Sequence, residues 1–206
     1  MLGGDCMKIL VTGFEPFLSL TRNPSKEVLP MLEKEVKRGS LKTMVLPVVF
    51  DQVFDPVKEA IEDFKPDVIL HLGVAESRDK ISLERVAINI KDARGVDNLG
   101  NQPVDEPILK RRASAYFSTL PLRKLEAILK DANIPVEISN SAGTYVCNNI
   151  MYHTLSYLEE EKLDVMAGFI HLPMMKDQDK GTNKSMELSM IKEGIMRMIE
   201  YFLNES

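Results

Sequence analysis

Three short apolar runs constrain this chain more than any other feature: KILVTG at 8–13, DVILHLG at 67–73 and VMAGFIHL at 165–172. They read as strands buried on both faces, which are characteristic of parallel sheets covered by helices. Two of them stop at a glycine, as strands do before a tight turn. Elsewhere the period changes. In 52–64, Val53, Val57, Ala60, Ile61 and Phe64 share one helical face, and in 121–132 Leu122, Leu125, Ile128 and Leu129 do the same. Helices are also expected over 26–38, where Asn23-Pro24-Ser25 has the composition of a helix start, and over 145–160 and 185–203. Further strands are expected over 41–48, 81–90 and 135–139.

Strands alternating with helices predict an α/β chain, a three-layer α/β/α sandwich around a mostly parallel, mixed sheet. No repeat or linker interrupts it, so residues 1–206 are expected to form a single catalytic domain. Residues 1–6 read as a disordered extension, with Met7 as an alternative start. The stretch 92–120 is a long excursion rich in Gly, Pro, Asn and Asp, and 176–184 is a polar loop expected to be mobile. In such sheets, sites form beyond the C-terminal ends of the strands. The loop after 8–13, His71, the turn at 139–147 and His171 all fall at such ends.

Bulk properties exclude some functions. A net charge of −5 with scattered basic residues argues against nucleic acid as a partner. The one basic run, Lys110-Arg111-Arg112, reads as a solvated loop. Two cysteines, Cys6 and Cys147, give no disulfide framework and fit a reducing compartment. No apolar run is long enough to cross a membrane, and the N-terminus lacks the pattern of a signal peptide. No membrane partner is expected, and the expected location is cytoplasmic. There is no CxxC, HExxH or Walker loop, so no metal and no cofactor are expected.

Cys147 follows a strand and a Gly-bearing turn, at the opening of a helix. A thiol there sees free N–H groups and the positive end of the helix dipole, and both favour the reactive thiolate. The same N–H groups can hold an oxyanion. Yet Cys147 shares a helical face with Ile150, Met151, Thr154, Leu155 and Leu158, so spacing alone leaves a core thiol equally open. A cysteine nucleophile needs an imidazole, and the chain has three: His71, His153 and His171. His153 falls on a different helix face from Cys147. His71 and His171 lie near strand ends, where each is either a satisfied core histidine or a base entering a crevice. Strand alternation puts Glu84 on the apolar face of 81–90, with Ser82, Val86, Ile88 and Ile90. A buried carboxylate needs a partner, and a histidine from the next strand would serve. A surface salt bridge is the other reading. Phe14 and Phe17 either form a flat apolar slot or pack under the next helix.

GFEPF at 13–17, NPS at 23–25, ISLERVAIN at 81–89, DAR at 92–94, DNLGNQP at 97–103, SNSAGTYVCN at 139–148 and GFIHLP at 168–173 occur in that order. Together they resemble the pyroglutamyl peptidase type I (pyrrolidone carboxyl peptidase) family. The resemblance runs from about residue 7 to 174. It implies a cysteine peptidase acting on peptides with an N-terminal pyroglutamate, with Cys147 as nucleophile, His171 as acid and base, and Glu84 as its orienter. It further implies that Phe14, Phe17, Tyr145 and Val146 line the ring pocket and that Arg94 lies close to the site. The family uses no cofactor, is cytosolic and is often a homotetramer. Leu18-Ser19, Glu76-Ser77 and Met174–Asp177 depart from the family pattern at the expected pocket rim. A related small-molecule amidase, or a non-catalytic α/β binding protein with a decayed site, are the alternatives.

Overall fold

A computed structural model describes residues 7–17, 20–36, 40–179, 181–182 and 184–204. The expected extension at 1–6, with Cys6, and the departures at Leu18 and Ser19 lie outside the described residues. In chain order the elements are β1 (Ile9–Phe14), α1 (Pro24–Glu27), α2 (Leu29–Glu35), β2 (Leu41–Leu46), α3 (Asp55–Phe64), β3 (Val68–Val74), β4 (Ile81–Glu84), β5 (Val86–Ile88), β6 (Ala115–Phe117), α4 (Leu122–Asp131), β7 (Val136–Ser139), α5 (Val146–Glu160), β8 (Met166–Leu172), β9 (Met174–Met175), β10 (Ser185–Met186) and α6 (Leu188–Asn204).

The central sheet has the order β2-β1-β3-β8-β4-β7. Its pairings are parallel except β4 with β8, where Ser82 faces His171 and Leu83 faces Ile170. The sheet is therefore mixed and mostly parallel. Strand alternation sorts the core into two layers. Ile9, Val11, Val68, Leu70, Ile170 and Leu172 pack with Leu29 and Leu32 of α2, Leu125 and Leu129 of α4, and Ile191, Ile195 and Ile199 of α6. Leu10, Phe14, Ile69, Ala167 and Phe169 pack on the other face with Val57 and Ile61 of α3 and Ile150, Met151 and Leu155 of α5. Each fully buried Leu or Ile contributes roughly 1.5–3 kcal/mol, and both faces of the sheet supply them. Runs such as VILHLG are therefore apolar without alternation.

Several expected elements change at their edges, each for a local reason. The helix expected over 26–38 is two helices, with Pro30 in the first turn of the second; a proline is tolerated at that position. The strand expected over 41–48 stops at Leu46, before Pro47. The strand expected over 81–90 breaks at Arg85, whose N–H goes to Ser139 O at 2.8 Å. Beyond the break, β5 leaves the main sheet and pairs with β6, an element hidden in the excursion at 92–120. The expected alternation from Glu84 through Ile90 therefore does not persist. The start of the last helix expected over 185–203 is instead β10, paired with β9. Among the described residues, no helix is long and apolar enough to cross a membrane.

Candidate active site

The strand ends carry the chemistry. At the end of β1, Phe14 N–H donates to Ser25 Oγ at 2.9 Å, and Ser25 in turn is held by the Asn23 side chain that caps α1. A Cβ on Gly13 would come within 2.2 Å of Ser25 O. Gly13 is thus required for α1 to pack against the strand end, and this contact explains why GFEPF and NPS act together. Glu15 Oε1 accepts from Val48 N at 3.2 Å and Asn98 Nδ2 at 2.8 Å, joining three loops at one edge of the site.

Cys147 is the second residue of α5, and no side chain caps that helix. Its sulfur lies 3.0 Å from where a Cβ on Gly73 would stand, and the Phe169 ring lies 2.6 Å from the same point. Gly73 pairs in register with His171 on β8. The nucleophile candidate therefore lies above the strand position next to the imidazole. Cys147 is neither exposed nor fully buried, and it lines a narrow, tightly closed cleft with Phe14, Phe17, Asn23, Val48, Gly73, Val74, Tyr145 and Val146. The aromatic walls hold one another: Phe17 and Tyr145 are 6.0 Å apart, and Phe50 meets Tyr145 edge-on at 5.2 Å. Tyr145 OH donates to Val96 O at 2.9 Å. All four residues expected in the ring pocket line this cavity. Arg94 does not; it is exposed in the loop before Val96.

Burial pushes the Cys147 thiol up to about 12, and the Glu84 charge adds to the effect. Its own backbone N–H and the Arg78 charge oppose the shift but do not overcome it. Desolvation thus acts against the thiolate here, in the opposite sense to a helix start.

His171 is 5% exposed. Its Nδ1 lies 2.7 Å from Glu84 Oε1, and Glu84 is wholly buried. The carboxylate fixes the ring and leaves Nε2 for proton transfer. The other histidines are accounted for. His71 is a core residue between Thr12 Oγ1 at 2.8 Å and Thr154 Oγ1 at 2.9 Å, and burial lowers it to about 3. His153 stacks on Phe54 with ring centres 5.1 Å apart.

Two supports escape sequence reasoning. Asn148 accepts from Ile88 N at 2.9 Å and donates to Ile88 O and Ile90 O, pinning α5 to β5 beside the nucleophile. Arg78 reaches Glu84 Oε1 at 2.6 Å. The sequence signal for Arg78 was its place five residues after the Gly73 strand end, masked by charged neighbours. Glu76, Met174 and Asp177 border a second, larger opening with Leu20, Thr21, Gln178, Asp179 and Thr182. Its segments follow directly from the strands that carry Gly73 and His171. Among the described residues, no group of three or more His, Cys, Asp or Glu side chains is placed to hold a metal ion.

Comparison with known proteins bears on the family. The family model described as pyroglutamyl peptidase matches residues 7–205. The chain is 44% identical over 196 residues to pyrrolidone-carboxylate peptidase 2 of Caldanaerobacter subterraneus, covering 94% of this chain and 95% of that one. It is 44% identical over 201 residues to the pyrrolidone-carboxylate peptidase of Thermosipho melanesiensis, covering 97% of this chain and 100% of the relative. Among solved structures, pyrrolidone carboxyl peptidase of Pyrococcus furiosus superposes with a TM-score of 0.89 at 40% identity, covering 97% of this chain and 99% of that one. Pyroglutamyl peptidase I of Bacillus amyloliquefaciens gives a TM-score of 0.87 at 34% identity, covering 93% and 94%.

Proposed function

This chain belongs to the pyroglutamyl peptidase family, and on that premise we propose that it is a cysteine exopeptidase that hydrolyses the bond after an N-terminal pyroglutamyl residue. The observation that carries the reading is the Glu84–His171 contact at 2.7 Å beside a cysteine that closes an apolar cavity.

Pyroglutamate is a lactam with no charged amine. Its ring suits a slot walled by Phe14, Phe17, Tyr145 and Val146. An open glutamyl or glutaminyl N-terminus would bring an ammonium into that slot, and no carboxylate lines it to receive the charge. Leaving that charge unpartnered is costly.

The Cys147 proton passes to His171 Nε2 as the sulfur attacks the carbonyl carbon joining pyroglutamate to the next residue. The carbonyl oxygen, now negative, is held by N–H groups at the uncapped start of α5. The C–N bond then breaks, the amine takes the proton from His171 and leaves, and a thioester remains. His171 next removes a proton from water, the hydroxide attacks the thioester and displaces sulfur, the sulfur takes that proton back from His171, and pyroglutamate is released. Glu84 keeps the ring oriented through both halves. The chain works as one catalytic unit, as a homotetramer, in the cytoplasm.

The test is release of fluorophore from a pyroglutamyl amide, with prolyl and glutaminyl amides and the Cys147→Ser variant alongside. The proposal expects release from the pyroglutamyl amide alone, abolished by Cys147→Ser. Equal release from the other amides points to a broader amidase, and release that survives Cys147→Ser removes the nucleophile assignment. Sedimentation velocity checks the tetramer, and fractionation of cells checks the compartment.

A further inference from the structure

Glu84 is wholly buried, and its two oxygens are treated unequally. Oε2 has no hydrogen-bond partner. Oε1 accepts from both His171 Nδ1 at 2.7 Å and Arg78 Nη1 at 2.6 Å. Through Nη2 the same guanidinium reaches Ser141 O at 3.0 Å, in the turn that leads into α5 and Cys147. Arg78 lies between β3 and β4, with its side chain 21% exposed. One cation therefore touches the catalytic carboxylate and the backbone that launches the nucleophile helix.

We propose that Arg78 is a positioning residue of this site: it is the fixed counter-charge of Glu84, which leaves His171 free to give and take a proton, and it ties that carboxylate to the turn carrying Cys147. The proposal rests on the assignment of Glu84, His171 and Cys147 made above.

The physical argument is one of charge balance. A buried carboxylate needs a cation. Among the described residues two groups contact Glu84 in that role, a guanidinium and an imidazole. Without Arg78, the buried charge would be balanced by keeping the proton on His171. An imidazolium held as a counter-ion cannot accept the Cys147 proton. A guanidinium stays charged throughout the working range. It therefore balances Glu84 whatever the state of His171.

The groups that face His171 from its packed neighbours are few. β4 supplies Glu84 and Ser82, whose hydroxyl donates to Glu137 of β7 at 2.9 Å, and α5 supplies Cys147; His71 of β3 is held by Thr12 and Thr154, and burial lowers it to about 3. Glu76 and Asp79, beside Arg78 in its loop, are exposed. The Arg78 charge also opposes the effect of Glu84 on the Cys147 thiol. Both electrostatic consequences run in the direction catalysis requires.

The direct test reads His171 without turnover. Long-range ¹⁵N NMR follows the three imidazoles through a pH titration in the wild type, Arg78→Gln and Arg78→Lys. In Arg78→Gln, the His171 imidazolium is expected to persist to higher pH than in the wild type. Arg78→Lys, which keeps a cation, is expected to restore the wild-type titration. The acidic limb of kcat/KM for a pyroglutamyl amide should move with it. The loss in Arg78→Gln is expected to be about 10- to 100-fold near pH 6 and to shrink as pH rises. An unchanged His171 titration in Arg78→Gln overturns the proposal, as does a loss that is equal at every pH and not restored by lysine. If the wild type releases no fluorophore, the peptidase assignment fails, while the NMR arm still decides the role of Arg78.

Discussion

His171 Nδ1 and Glu84 Oε1 lie 2.7 Å apart, although 87 residues separate them in the chain. The antiparallel pairing of β4 with β8 brings the two together, since it sets Ser82 opposite His171 and turns Glu84 to the same face. A Glu84→Gln substitution keeps the shape but can present an N–H to the ring, selecting the wrong tautomer. The expected result is a fall in kcat of roughly 10²- to 10⁴-fold with little change in KM. Steady-state kinetics on a pyroglutamyl amide check this, and full activity in the variant would remove Glu84 from the mechanism.

The resting thiol makes a prediction of its own. Burial holds Cys147 near 12, so its thiolate fraction in the free enzyme is small and grows about tenfold per pH unit below that value. Alkylation of Cys147 by iodoacetamide should accelerate steadily from pH 6 to 9. A preformed thiolate and imidazolium pair would instead react at a constant rate across that range. Peptide-resolved mass spectrometry separates Cys147 from Cys6.

His71 couples stability to acid. Its folded value is about 3 against an ordinary 6.5, the cause being burial. Between these values the unfolded chain binds a proton that the folded chain refuses, so stability falls as pH drops below about 6.5. At pH 4.5 the cost is roughly 2–3 kcal/mol relative to pH 7.5. His153, lowered to about 4 by burial and then by Lys91, adds in the same direction. Urea melts at several pH values measure the slope. A His71→Gln variant should show a shallower one, and an unchanged slope would count against this account.

Gly73 is the tightest point of the site. A methyl group there would stand 2.6 Å from the Phe169 ring and 3.0 Å from the Cys147 sulfur. Neither neighbour is free to retreat, because Phe169 is fully buried and the sulfur belongs to a helix pinned by Asn148. Gly73→Ala is therefore expected to cost roughly 1–3 kcal/mol of stability. It should also lower kcat at least tenfold, because displacing a reacting atom by a fraction of an ångström is enough to slow the chemistry. Thermal melts and kinetics on the same preparation separate the two effects.

Much of this architecture is legible residue by residue. The runs around Ile9, Ile69 and Ile170 are strands because both faces of the sheet are covered. Helices α3, α4 and α5 fall within a few residues of their expected limits. Of the features expected at strand ends, the loop after β1 and the turn before α5 line one cavity, while His71 is a core residue. What the sequence hid depends on contacts across the chain. The break at Arg85 is set by Ser139, more than fifty residues away, and β6 is a strand only because β5 lies beside it. The upward push on the Cys147 thiol comes first from burial, which a helix-start argument does not contain. Arg78 stood unnoticed among exposed charges because its partner is a buried carboxylate on the next strand. Arg94 is exposed in a loop whose Asp92 and Val96 accept from Thr144 and Tyr145 just before the nucleophile helix.

The middle of the sheet has a temporal consequence. β3 pairs with β8, setting Gly73 beside His171, and β4 joins the sheet only through β8 and β7. The strand that completes the site is thus among the last to be synthesised, and no shorter nascent chain contains all the catalytic groups. Pairings so distant in sequence close slowly. During refolding, helical circular dichroism should recover ahead of activity, with enzymatic turnover marking the moment β8 slots between its two neighbours.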